Sequence, residues 1–232
     1  MSSRAAREAC AKPAQPVPAP WRLEGSGLIL LLKSPAATSD PRWHAIPDTD
    51  ELARPGIGLL MFVDYWRSEV GPYRELLFIP GRFQWGDRRF LSVTRILVST
   101  RESVAGGRAN WGIPKELAEF RLSGEPGGLL DLSVSQGGQP VADIAWRGKG
   151  PALPVTTAFV PAALRTLVQV LDGKQFRLAP SASGRVSAAR LDRLETNPAL
   201  FPALDPRRVL TALSVPRFEM TFPAAHISPC HR

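Results

Sequence analysis

Phe120-Arg-Leu122, Leu129-Leu-Asp-Leu-Ser-Val-Ser135 and Val141-Ala-Asp-Ile-Ala-Trp146 are short runs separated by the paired glycines Gly127-Gly128 and Gly137-Gly138. Short apolar runs punctuated by glycine turns read as strands rather than helices. The same punctuation recurs on either side. Upstream, Phe90 to Ser99 is rich in β-branched residues, and Ile57 to Tyr65 and Tyr73 to Ile79 flank Gly71-Pro72 as an antiparallel pair. Leu28-Ile-Leu-Leu-Leu32, between Gly25-Ser-Gly27 and Ser34-Pro35, suits a buried strand. Downstream lies Phe176 to Ala179. Many short strands at regular spacing predict a mostly antiparallel β architecture. Two helices are expected beside it. Ser99-Thr-Arg-Glu102 carries the capping residues of a short helix through Ala109, weakened by Gly106-Gly107. Pro161, Leu164, Leu167, Val168 and Leu171 recur at helical spacing and predict one amphipathic helix packed on the sheet.

With 232 residues, 44% hydrophobic and 22% charged, the chain is large enough to bury a real core and has the composition of a soluble globular domain. No repeat or linker divides it, so residues 21–232 read as a single domain. Residues 1–20, with Pro13, Pro16, Pro18 and Pro20 and no apolar h-region, read as a disordered tail and not a secretory signal. The longest apolar run, Leu28 to Leu32, is far short of the roughly 20 residues a membrane-spanning helix needs. Cys10 and Cys230 sit in the terminal segments and offer neither a disulfide framework nor a metal site, which fits a reducing cytoplasm. The net charge of +8 and pI near 10.3 raise the question of nucleic acid. The basic residues are scattered without aromatic interleaving, which argues against it. Lysine occurs only at Lys12, Lys33, Lys115, Lys149 and Lys174, with arginine supplying the rest of the 29 basic residues. That bias reads as codon composition, and it makes each lysine a rare residue.

One lysine stands in an unusual setting. In Gly107-Arg-Ala-Asn-Trp-Gly-Ile-Pro-Lys-Glu-Leu-Ala-Glu-Phe120, Lys115 lies among Trp111, Ile113, Pro114, Leu117 and Phe120. Two readings compete: a surface lysine whose stem rests on apolar neighbours while its charge stays in water, or an amine kept from water for chemistry. Ala105-Gly-Gly-Arg108 followed by Trp111-Gly-Ile-Pro-Lys115, together with Gly71-Pro-Tyr-Arg-Glu75, resembles the paired active-site segments of the acetoacetate decarboxylase family. The match is specific over about residues 57–122. The resemblance implies an antiparallel β-barrel or cone with a few flanking helices, a homo-oligomer, no cofactor and no metal. It also implies Schiff-base chemistry on a small keto acid, with neither nucleic acid nor membrane as partner.

A neutral amine condenses with a ketone, and the protonated imine then accepts the electron pair of a breaking bond. An unperturbed lysine, with a pKa near 10.4, is neutral in only about one molecule in 2,500 at pH 7, so desolvation is expected to lower that value. By resemblance, Lys115 and Glu75 are catalytic, with Glu75 handling the proton; its plain alternative is a salt bridge to Arg74 or another rim arginine. Arg108, Tyr73, Trp111 and Asn110 are implied at the substrate site, Arg108 bracing the lysine loop and the aromatics lining the pocket. Three departures bear on the substrate. Glu116 stands where the family has a second lysine, and alternation along an extended segment is expected to turn it away from the amine. The family's arginine before the first strand falls on Gly25-Ser-Gly27, with Arg22 the nearest candidate, and a family acid falls in Leu59-Leu60-Met61. The rival reading is a non-catalytic small-molecule-binding or accessory protein with the same fold.

Overall fold

The computed structural model describes residues 14–34, 40–47, 49, 51–125 and 128–230. It is 61% strand and 12% helix, which makes the protein mostly β. In chain order the strands are β1 (Trp21–Ser34), β2 (Gly56–Arg67), β3 (Tyr73–Ile79), β4 (Arg82–Trp85), β5 (Arg88–Leu91), β6 (Arg95–Val98), β7 (Lys115–Leu117), β8 (Glu119–Gly124) and β9 (Leu129–Gln136). They continue with β10 (Gln139–Thr156), β11 (Leu167–Leu171), β12 (Lys174–Leu178), β13 (Ser181–Thr196), β14 (Val209–Phe222) and β15 (His226–Pro229). The α-helices are α1 (Pro41–His44), α2 (Arg101–Trp111) and α3 (Ala162–Arg165).

Ten strands form one sheet in the order β7-β6-β3-β2-β1-β14-β13-β10-β9-β8. Its two edge strands, β7 and β8, are separated in the chain by Ala118 alone. The sheet therefore curls back until its edges nearly meet, giving the barrel-like closure expected from the sequence. Alternation puts Leu28, Leu30, Leu60, Phe62, Leu76, Phe78, Leu97 and Trp146 in one cluster, the barrel core. Tyr65, Tyr73, Leu77, Ile96 and Val98, on the opposite face, pack with Trp21, Trp111 and Ile113 under α2. A five-stranded sheet, β15-β12-β11-β5-β4, completes the fold.

Several sequence expectations change here. The amphipathic helix over 161–171 is only the single turn α3; Leu167–Leu171 is instead strand β11, buried at every position. Burial on both faces removes the polar side that would have distinguished it, and Asp172-Gly173, at φ 51° and 70°, turns it tightly into β12. The stretch from Phe90 to Ser99 divides at Ser92-Val93-Thr94, with β5 in the small sheet and β6 in the large one. Gly25-Ser-Gly27 does not bound a strand but lies within β1, as a bulge against β14. Two long strands have no clear signature in the sequence: β13 is rich in Ala, Ser and Arg and poor in β-formers, and Pro216 interrupts β14. Of the expected tail, residues 1–13 with Cys10, and of the expected turns Gly127, lie outside the described residues. Val17 and Ala19 pack on the outer cluster.

Helix α2 lies close to β1 because Gly106 faces the fully buried Trp21 ring; a Cβ there would fall 2.3 Å from Cζ2 of that ring. Gly106→Ala should therefore destabilise the protein by about 1–2 kcal/mol net, overpacking outweighing the helix propensity gained. The check is a lower urea midpoint by far-ultraviolet circular dichroism.

Candidate active site

The register of three strands brings Glu75 and Lys115 together. On β3, Glu75 stands opposite Val98 of β6; on β7, Lys115 stands opposite Ile96 of the same β6. Opposed residues share a face, as do residues two apart, so both side chains leave the outer face of the barrel. At about 4.8 Å per strand and about 3.3 Å per residue along β6, they start about 12 Å apart. The lysine stem spans β6, and Nζ donates to Glu75 Oε2 at 2.8 Å. Both residues are 4% exposed.

Helix α2 covers this pair. Thr100 caps it, its hydroxyl accepting from the Ser103 amide, and Gly112 closes it at φ 61°. Ser103 and Gly107, four apart, lie on one helix face. Gly107 leaves room for the lysine stem, since a Cβ there would lie 2.5 Å from Cδ and 2.7 Å from Cε of Lys115. Ser103 meets the head group, with Lys115 Nζ donating to its Oγ at 3.0 Å. The amine also lies 5.1 Å from the centroid of the Tyr73 ring. Tyr65, opposite Tyr73 on β2, sets its ring 4.6 Å from that of Tyr73. Burial first, and then the Glu75 charge, push both phenols well above the usual tyrosine range.

Of the expected site residues, Lys115, Glu75 and Tyr73 converge. Trp111 is buried core beside the site: its Nε1 donates to the Pro223 carbonyl and its ring meets Trp21 edge-on at 4.9 Å. Asn110 faces the N-terminal segment, donating to the Val17 carbonyl and accepting from the Ala19 amide. Arg108 is exposed on α2, where its charge acts on Glu116. Arg22 is exposed on β1, its amide bound by Glu69. Arg74 pairs with Asp64 at 3.1 Å, leaving Glu75 to the lysine. Ser103 and Tyr65 escaped the sequence reading; the only signal was helical spacing from Gly107 and strand pairing to Tyr73. Cavities of about 830, 350 and 230 Å³ open elsewhere, with neither Lys115 nor Glu75 in their walls.

Glu116 turns away, as alternation requires, and pairs with Arg95 Nη1 at 2.5 Å while Gln136 donates to it at 2.9 Å. Partial burial raises its carboxyl, but the Arg95 and Gln136 hydrogen bonds outweigh this and the net direction is down.

A family model described as acetoacetate decarboxylase matches residues 44–201, more than half of the chain and including both Glu75 and Lys115. The chain belongs to the acetoacetate decarboxylase family. Among solved structures it is similar to the acetoacetate decarboxylase of Legionella pneumophila, at TM-score 0.67 and 17% identity over 98% of each chain. The enduracididine biosynthesis enzyme MppR, solved with the condensation product of pyruvate and imidazole 4-carboxaldehyde, aligns at TM-score 0.62 and 13% identity over 93% of this chain and 92% of its own. An acetoacetate decarboxylase-like enzyme from Sphingomonas wittichii gives 0.60 and 13% over 94% of each. These likenesses establish the fold. No curated protein matches the sequence. Among the described residues no three His, Cys, Asp or Glu side chains gather as a metal site would require.

Two outcomes test this geometry. Gly107→Ala should displace the lysine stem and loosen its contact with Glu75, so labelling of Lys115 by an amine-selective reagent should rise relative to Lys33, Lys149 and Lys174, read by peptide mass mapping. For Glu116, a carboxyl held below its ordinary 4.5 stabilises the fold above that pH and loses the contribution as pH falls through the folded value. Thermal melts of Glu116→Gln should therefore change less below pH 4.5 than those of wild type.

Proposed function

We propose that this protein is a Schiff-base-forming lyase acting on a small keto acid through Lys115. The observation that carries this reading is the buried 2.8 Å contact between Lys115 Nζ and Glu75 Oε2. An imine-forming lysine must first give up a proton, and Glu75 is placed to take it. The neutral amine then attacks the ketone carbon, the carbinolamine loses water, and a protonated imine remains. From a 3-keto acid, the carbon–carbon bond to the carboxylate breaks, carbon dioxide leaves, and its electron pair passes into the imine as an enamine. Protonation of the enamine carbon and hydrolysis release the product and restore the amine. Aldol condensation and dehydration pass through the same enamine, and the condensation product bound to MppR belongs to that chemistry.

The buried pair also bears on the rival. Removing one partner of such a pair costs about 3–5 kcal/mol, because the other charge is left alone in a poor solvent. In the rival reading, a non-catalytic binding protein, the same pair serves structure alone. Reductive trapping separates the two. With a panel of keto acids and borohydride, the mass increment should fall on Lys115, and Glu75→Gln should slow its appearance by about a hundredfold or more. Absence of labelling with every keto acid, or its spread over Lys33, Lys149 and Lys174, would give the site to the binding-protein reading.

A further inference from the structure

The outer face of the barrel is covered unevenly. Over β1, β2 and β14 a chamber of about 230 Å³ remains, walled mainly by apolar side chains such as Ile29, Met61, Val63, Val215 and Phe218. One row of opposed residues ties this chamber to the lysine site: Val215 on β14 stands opposite Gly27 on β1, Gly27 opposite Val63 on β2, and Val63 opposite Glu75 on β3. Opposed residues share a face, so the first three floor the chamber and the fourth is the partner of Lys115. Gly27 has no side chain, which leaves a gap in the row. The backbone keeps it so, since a Cβ there would lie 2.2 Å from the Phe62 carbonyl oxygen. On its β14 side the chamber also reaches the site, because the Phe218 ring packs edge-on against Tyr65 at 5.8 Å. Outward, it shares Thr156, Thr157 and Met220 with the cleft of about 830 Å³ that Arg22 and Arg67 also line, so the two form one cleft.

We propose that this chamber binds the side chain of the substrate, and that the keto acid taken by Lys115 therefore carries an apolar group of about ring size in place of the methyl of acetoacetate or pyruvate. This rests on the Schiff-base reading. Nζ is held at the Glu75 carboxylate, so a carbon bonded to it lies roughly 5 Å, one strand spacing, from the Val63 position. A methyl on that carbon stops short of the chamber, whereas a branched or benzyl group crosses Val63 and enters it. A cavity of about 150 Å³ takes a benzene ring, so one of about 230 Å³ holds such a ring with its linking carbon. A carboxylate would lose its hydration against these walls without gaining a partner, so the side chain enters and the acid group stays outside.

The test is borohydride trapping on the full chain with two matched pairs, pyruvate against phenylpyruvate and acetoacetate against isovalerylacetate. Each rate is divided by that of free Nα-acetyllysine with the same acid, which removes differences in intrinsic reactivity. In wild type the larger member of each pair should label Lys115 about tenfold faster or more. Two variants narrow the chamber: Val186→Phe, from the half-buried β13 wall, and Val155→Trp, from the exposed rim on β10, where a larger side chain does not disturb the core. Each should lower the ratio of larger to smaller by about tenfold. A damaged fold would slow both members alike and leave the ratio as it was. Faster labelling by the methyl members in wild type, or an unchanged ratio in both variants, would overturn the proposal and leave the Schiff-base reading standing. Absence of labelling with all four acids would remove that reading, and the proposal with it.

Discussion

Burying a lysine head group in this fold imposes a condition that the surrounding elements meet together: the charge must have a partner, and the long stem must have a path. Glu75 supplies the first at 2.8 Å. Gly107 supplies the second, because any side chain there would occupy the space of Lys115 Cδ and Cε. Helix α2 can then lie directly on β6 and β7, with Gly106 against Trp21 on its neighbouring face. A helix with adjacent glycines is intrinsically weak, by about 0.5–1 kcal/mol for each. Here that weakness accompanies a close approach to the sheet which alanine would prevent.

The barrel contributes by separating two tasks. Its inner face is an apolar core that excludes the charged pair. Its outer face, on β2, β3, β6 and β7, presents Tyr65, Tyr73, Glu75 and Lys115 to the underside of α2. Alternation along β7 does the same at the scale of one residue. Lys115 faces the helix, while Glu116 leaves on the other side toward Arg95 and Gln136. A carboxylate adjacent in sequence is thereby kept from the amine, and one forty residues away becomes its partner.

Strand chemistry was legible wherever β-branched or apolar residues were bounded by glycine and proline, as for β3 and β9. It was illegible for β13, whose pairing on both sides compensates for poor intrinsic preference, and for β14, where Pro216 interrupts the run. The misread helix at Leu167 to Leu171 shows the opposite limit: a run buried on both faces has no polar side from which to read a period.

By itself the sequence determined the mostly antiparallel fold, the family motifs, and Lys115 with Glu75 as the paired candidates, because residue type and local spacing encode turns, alternation and motif chemistry. Only the tertiary structure decided that Arg108 is exposed, that Asn110 holds the N-terminal segment, that Trp111 is core, that Ser103 meets the amine and that Tyr65 lies beside Tyr73. These are consequences of strand register and helix placement. Register joins residues that are distant in the chain, and the face that α2 buries depends on which positions carry no side chain.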